Sequence, residues 1–290
     1  MLDKVLAGLE TRYVSKGVSR FIFELLAFGF KQAYACLFGG LMLLLLLSTF
    51  MFYPNDAPIA RYDAITLGAV VIQCVMLATR LETFDEAKVI FAFHIVGTLM
   101  EVFKTHVGSW IYPEPSVLRI ADVPLFSGFM YACVGSYLAR IWRIFDFSFD
   151  RWPPVWMQVA LGVAAYLNFF THHYTLDIRN VLFIAAALLY GACTVHYRPF
   201  HRRWKMPLLL GLLLVALFIW IAENAATYAR AWSYPDQAEG WRVVSLAKLG
   251  SWFLLMQLSF AMVAALHGSR TATSSSVRSS RRSPRGSLPS

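Results

Sequence analysis

The sequence predicts an all-α polytopic membrane protein with eight transmembrane helices, and three observations carry that reading. Hydrophobic residues make up 58% of the 290-residue chain and charged residues 15%, for a mean hydropathy of +0.54. A soluble domain carries about 25% charged residues. Eight apolar stretches approach the roughly 20 helical residues that cross a hydrocarbon core of about 30 Å. Lysine and arginine crowd every second connection and avoid the others.

Residues 1–32 read as an N-terminal amphipathic interfacial segment. Leu2, Val5, Leu6, Leu9 and Tyr13 recur at helical spacing, with Lys4, Arg12 and Lys16 placed to meet lipid phosphates. No short apolar core followed by a small-residue cleavage site suggests a secretory signal. An eight-span membrane domain follows at 33–267. Its spans run over 33–53, 64–80, 87–106, 124–144, 154–171, 177–196, 206–228 and 243–266.

The cations orient these spans. Lys4, Arg12, Lys16, Arg20 and Lys31 precede the first. Arg80 and Lys88, then Arg140, Arg143 and Arg151, then Arg198, Arg202, Arg203 and Lys205 mark every second connection. The alternate connections hold only Arg61, Arg119, Arg179, Arg230 and Arg242. Both termini are therefore expected in the cytoplasm. This asymmetry also accounts for the net charge of +9, so no nucleic-acid partner is called for. Residues 268–290, rich in Ser and Arg and free of acidic residues, read as a disordered cytoplasmic tail beside the anionic inner leaflet. Cys36, Cys74, Cys133 and Cys193 fall in different spans without zinc-type spacing, which predicts free thiols.

An internal repeat is the most informative feature. EVFKTHVGSWIYPE begins at Glu101 and ENAATYARAWSYPD at Glu223. At a constant offset of 122, Glu101 aligns with Glu223, Thr105 with Thr227, Trp110 with Trp232, Tyr112 with Tyr234, Pro113 with Pro235 and Gly128 with Gly250. Each copy closes an outward-running span. A four-plus-four parallel duplication follows, with halves at about 33–145 and 154–266 and a pseudo-twofold axis along the membrane normal.

Charged side chains inside spans face the bundle interior or a watered cavity. Glu101 lies thirteen residues beyond Lys88, about 20 Å along a helix that rises 1.5 Å per residue. Glu223 sits similarly far along its span. Both are candidate catalytic residues, with His94 two turns before Glu101. Lys104, Thr105, Tyr112, Asn224, Thr227, Tyr234, Lys248, His172, His173 and Asp177 share the same outer layer as candidate substrate-binding residues. Simpler readings stand beside these. Glu101 and Lys104 form an (i, i+3) pair that neutralises itself. His94 packs as a hydrogen-bonded core histidine. Trp110, Tyr112, Trp232 and Tyr234 serve as interfacial anchors. His172, His173 and Asp177 lack a further ligand at firm spacing, so no metal is assigned, nor any other cofactor. The clustered histidine boxes of membrane di-iron desaturases are missing from the sequence.

At these residues the chain resembles a known family. HIVGTLMEVFKTHVGSWIYPE, PLFSGFMYACVGSY and ENAATYARAWSYPDQAEGW are similar to the YoaT-like bacterial membrane proteins, a family of unknown function, over roughly residues 60–266. The resemblance implies a multi-pass protein of the bacterial inner (plasma) membrane. Glu101 with Gly108-Ser109-Trp110-Ile111-Tyr112 bears a weaker similarity to membrane carotenoid hydratases, whose Thr-Gly and Phe-Gly pairs this chain lacks.

Three functions compete. An intramembrane enzyme would act on a lipid or isoprenoid near the outer leaflet, with Glu101 or Glu223 as proton donor and Lys104 and Lys248 holding anionic groups. A proton-coupled carrier would move a small solute and needs a polar path on the cytoplasmic side as well. A non-catalytic assembly or lipid-binding protein would need neither. The topology is directly testable. In intact cells an impermeant thiol reagent should label a Glu114→Cys chain and spare an Arg202→Cys chain; the opposite pattern would invert the orientation.

Overall fold

Ten α-helices and five short strands follow one another in the residues that the computed structural model describes, 2–14, 19–261 and 263. The helices are α1 (Leu2–Val14), α2 (Arg20–Ala35), α3 (Leu37–Phe52), α4 (Arg61–Ala78), α5 (Phe84–His106), α6 (Phe126–Ile144), α7 (Val155–Thr171), α8 (Arg179–Tyr190), α9 (Leu208–Tyr228) and α10 (Leu246–Ala261). Local chemistry sets their starts. The Ser19 side chain accepts the Ile22 N–H at the head of α2, and Thr83 and Glu86 form a reciprocal capping box on α5. Pro154 and Pro207 stand just before α7 and α9, where proline disrupts no helical hydrogen bond.

A helix fills the middle of each of the eight apolar stretches. By length and composition α4 and α9 can each cross a membrane. The α2–α3 pair adds a third span if its 64° bend belongs to one crossing. Large apolar side chains face outward along these helices, among them Leu44, Val71, Leu99, Trp156 and Phe218.

The sixth stretch departs from expectation. Helix α8 ends at Tyr190 after 12 residues, about 18 Å of rise, and the remainder of the expected span is strand. Three strands, β3 (Ser148–Asp150), β4 (Thr194–Tyr197) and β5 (Trp204–Pro207), form an antiparallel sheet in that order. A second ribbon pairs β1 (Arg119–Ile120) with β2 (Val123–Pro124). The chain is thus mostly but not purely helical. The cause is legible in Thr194-Val195-His196-Tyr197, where β-branched and aromatic residues suit a pleated surface and follow a glycine that ends the helix.

Helices α1 and α2 cover the N-terminal segment, and α2 packs one face inward while Phe21, Leu25, Leu26 and Phe30 stay exposed on the other. Phe23, Glu24, Ala27, Lys31 and Ala35 are buried. The Glu24 carboxylate accepts the His201 and Arg202 N–H groups at 2.9 Å each, and Lys31 donates to the Ile144 carbonyl at 3.0 Å. The tail at 268–290 lies outside the described residues. All four cysteines are free thiols.

Helices α5 and α6 make the closest pair. A Cβ on Gly97 would stand 2.6 Å from the Tyr131 ring, and one on Gly128 would stand 2.5 Å from His94. Only hydrogen fits there, and the small residues let the two backbones approach.

Arg140, expected in a cytoplasmic connection, is fully buried in α6. Its guanidinium donates to Glu82 at 2.8 Å and to the Tyr34 carbonyl at 2.9 Å. Ser136 and Gln73 complete the Glu82 carboxylate. This pair ties α2, α4 and α6 together. Removing one partner of a buried pair costs about 3–5 kcal/mol because the other charge is stranded. Arg140→Met should therefore lower the thermal midpoint in detergent sharply, and Arg140→Met with Glu82→Gln should recover much of the loss. Equal losses in both would mean that the pair does not hold the bundle.

Candidate functional site

The two repeat motifs end α5 and α9 in the same way. After α5, Gly108 N–H donates to Thr105 O at 3.0 Å and Ser109 N–H to Lys104 O at 2.9 Å. After α9, Arg230 N–H donates to Thr227 O and Ala231 N–H to Ala226 O, both at 3.0 Å. Each is a Schellman turn with a left-handed residue, Gly108 at φ 74° and Arg230 at φ 53°. The following strands then meet. Ile111 and Ser233, which the offset of 122 aligns, exchange both backbone hydrogen bonds at 2.9 Å in an antiparallel bridge.

That bridge turns the flanking aromatics inward. Trp110 Nε1 and Tyr112 OH both donate to Glu101 Oε2 at 2.6 Å, and Tyr131 OH on α6 donates to Oε1 at 2.5 Å. Tyr234 OH donates to Glu223 Oε1, and Trp252 Nε1 on α10 to Oε2 at 2.9 Å. The bonds from Tyr112 and Tyr234 repeat the same eleven-residue reach. Burial, reinforced by the adjacent carboxylate, lifts both phenols well above the usual tyrosine value, so they remain donors. Between the motifs stands Lys248, its ammonium 4.8 Å from the Trp110 ring centroid and 4.2 Å from that of Tyr234.

Helix α4 clamps both loops from outside. Arg61 grips Glu114 with two hydrogen bonds of 2.7 Å and reaches the Arg230 carbonyl, which Tyr62 OH also caps. The Asp63 carboxylate takes the Val117 and Leu118 N–H groups.

Glu101, Glu223, Lys248, Trp110, Tyr112, Tyr131, Trp232, Tyr234 and Trp252 all line one cavity of about 690 Å³. This volume falls within the roughly 300–1,000 Å³ of small-molecule sites. From this polar end the cavity continues between α2, α3, α6, α9 and α10 over apolar walls to Phe145, Phe147, Val195, Tyr197 and Met206 beside the sheet.

The other expected site residues lie apart from it. His94 packs against Phe129 and under Gly128. Lys104 does not pair with Glu101: its ammonium lies 3.0 Å from His173 Nε2 and 3.9 Å from the Phe169 ring centroid. Partial desolvation and the Lys104 ammonium hold His173 below the usual histidine value, so its Nε2 accepts. Asn224 caps the Val244 N–H, and Thr227 receives Trp241 Nε1. Thr105 Oγ1 is buried without a partner among the described residues. His172 Nδ1 faces the Asn168 carbonyl. The Asp177 carboxylate accepts the Asn168 amide and the Arg179 N–H at 3.0 Å each and lies 3.3 Å from the Arg179 guanidinium. Among the described residues no group of three His, Cys, Asp or Glu could hold a metal ion.

Trp110, Trp232 and Tyr234 are buried rather than interfacial anchors. Sequence reasoning missed Tyr131, Trp252 and the Arg61-Tyr62-Asp63 clamp. Of these, only the charged run opening an apolar span gave a visible signal.

Residues 24–260 match the family described as a protein of unknown function (DUF817). The uncharacterized protein YoaT of Bacillus subtilis (strain 168) is 43% identical over 247 residues, covering 85% of this chain and 93% of that protein. No solved structure matches.

The matched turns differ in their left-handed residue, which gives an internal test. A side chain other than glycine there costs about 1–2 kcal/mol. Gly108→Val should lower the detergent thermal midpoint by several degrees, whereas Arg230→Gly should leave it level or raised. Equal losses would mean that backbone strain does not govern these turns.

Proposed function

The chain belongs to the family described as a protein of unknown function (DUF817), and we propose that it is a multi-pass membrane enzyme acting on a lipid or isoprenoid. One observation carries this reading: two buried carboxylates and a lysine stand at one end of a long apolar cavity. An apolar chain would fill the cavity with its polar end against Glu101, Glu223 and Lys248. Lys248 would hold that end, and the carboxylates would give and take a proton, kept in place by their aromatic donors.

Several features support the membrane setting. Helices α4 and α9 suit a crossing, the outward faces are apolar, and cations collect on one side of the chain. We read eight crossings in two parallel halves, with both termini cytoplasmic, in a bacterial inner membrane. The paired Schellman turns and the Ile111–Ser233 exchange favour the duplication. On this orientation the carboxylates lie toward the outer leaflet. A proton-coupled carrier fits less well, because the inner end of the cavity is walled by Phe145, Phe147, Val195 and Met206.

Glutamine is a fair probe at both positions. Its oxygen can face Trp110 and Tyr112, or Trp252, while its amide donates to the oxygen of Tyr131 or Tyr234. Glu101→Gln and Glu223→Gln should therefore keep the detergent thermal midpoint within a few degrees. Each should abolish whatever lipid conversion a deletion strain reveals. If the midpoint collapses while activity per folded molecule survives, these glutamates are braces. If binding and activity both survive, they have no part in the reaction.

A further inference from the structure

We infer that the cavity takes its ligand sideways from the bilayer, through a mouth between the α2–α3 elbow and α9. The ligand is then a membrane-resident amphiphile with one long hydrocarbon chain, not a solute arriving from water. This rests on the reading of the cavity as the substrate site and adds the route and the physical class of the substrate.

Exposure locates the mouth. Among the residues lining the cavity, the exposed ones are Gly29 and Ala33 on α2, Gly40 on α3, and Leu214 and Phe218 on α9. Among the described residues no other helix or strand contributes an exposed lining residue, so within them the internal space reaches the surface along this seam. All five are apolar, and Leu214 and Phe218 are 50% and 59% exposed. A hydrocarbon chain can pass such a rim without losing a hydrogen bond, whereas a hydrated solute would leave its water unreplaced.

The elbow is shaped to leave room. Helices α2 and α3 meet at Cys36 with a bend of 64°, and a Cβ added to Gly29 or Gly40 would meet nothing within 4 Å. The other two ends are closed. On the outer side the Ile111–Ser233 bridge lays Trp110, Trp232 and Tyr234 over the carboxylates, and all three are buried. On the inner side Phe147, Val195, Tyr197 and Met206 form a wall in which no residue is exposed. A ligand confined by these two ends has its polar group at Glu101, Glu223 and Lys248 and its chain leading toward the seam.

The test uses the full chain in phosphatidylglycerol vesicles containing a diazirine-bearing farnesol, with photolabelled peptides located by mass spectrometry. The unaltered protein should carry label on the α6 peptide containing Met130 and Tyr131. Gly40→Phe, which places a ring in the mouth, should reduce that label about tenfold, the scale expected when an opening is overfilled. Ala33→Phe serves as an independent obstruction if Gly40→Phe does not fold. Leu44→Phe, on the exposed face of α3 outside the cavity, should label normally. Undiminished labelling in a folded Gly40→Phe or Ala33→Phe chain would overturn the lateral route and leave the cavity reading standing. No label on the α6 peptide of the unaltered protein would overturn both.

Discussion

A carboxylate placed among apolar helices must have its water replaced by hydrogen-bond donors, and this chain meets that demand twice. Glu101 receives Trp110, Tyr112 and Tyr131, and Glu223 receives Tyr234 and Trp252. Three of those five donors come from the loops after α5 and α9, so the loops must be held to the precision of a hydrogen bond. The Schellman turns fix their exit direction, the Ile111–Ser233 bridge fixes their register, and Arg61, Tyr62 and Asp63 pin them to α4. The glycines that draw α5 against α6 belong to the same requirement, because Tyr131 reaches Glu101 from α6 and packs against Gly97.

The two stretches matched at the offset of 122 do not supply equal parts. At the offset of 122, Lys248 corresponds to Phe126, Tyr131 to Phe253 and Trp252 to Met130. Each matched stretch therefore supplies a glutamate and its own tyrosine, Tyr112 or Tyr234, while Lys248 has no charged counterpart at this offset. The two glutamates thus line one cavity with unequal surroundings. Lys104 is likewise without a charged counterpart at this offset. Its aligned residue is Ala226, and its ammonium is taken up by His173 and the Phe169 face.

Much of the helical fold was legible because helical apolar runs follow directly from solvent physics. The eight stretches each hold a helix, and the offset of 122 led to the pair of glutamates that share a cavity. Legibility failed where tertiary contacts override local pattern. Thr194–Tyr197 is apolar enough to continue a span, yet its β-branched and aromatic residues find strand partners on both sides. Arg140 reads as a surface cation until Glu82, distant in sequence, is seen to balance it. Trp110 and Trp232 have the composition of interfacial anchors, and only the bridge between their loops turns them inward. Tyr131 and Trp252 carry no sequence signal, since an aromatic side chain on a helix of this composition is ordinary packing.

The small sheet at the end of the cavity away from the carboxylates has a further consequence. Phe147 lies just before β3, and β4 and β5 place Val195, Tyr197 and Met206 across the end of the cavity, some fifteen residues of α9 below Glu223. At 1.5 Å per residue that separation is about 22 Å. The hydrogen-bonded sheet therefore closes the cavity about 22 Å from Glu223 along α9, which sets the depth of apolar space beside the carboxylates.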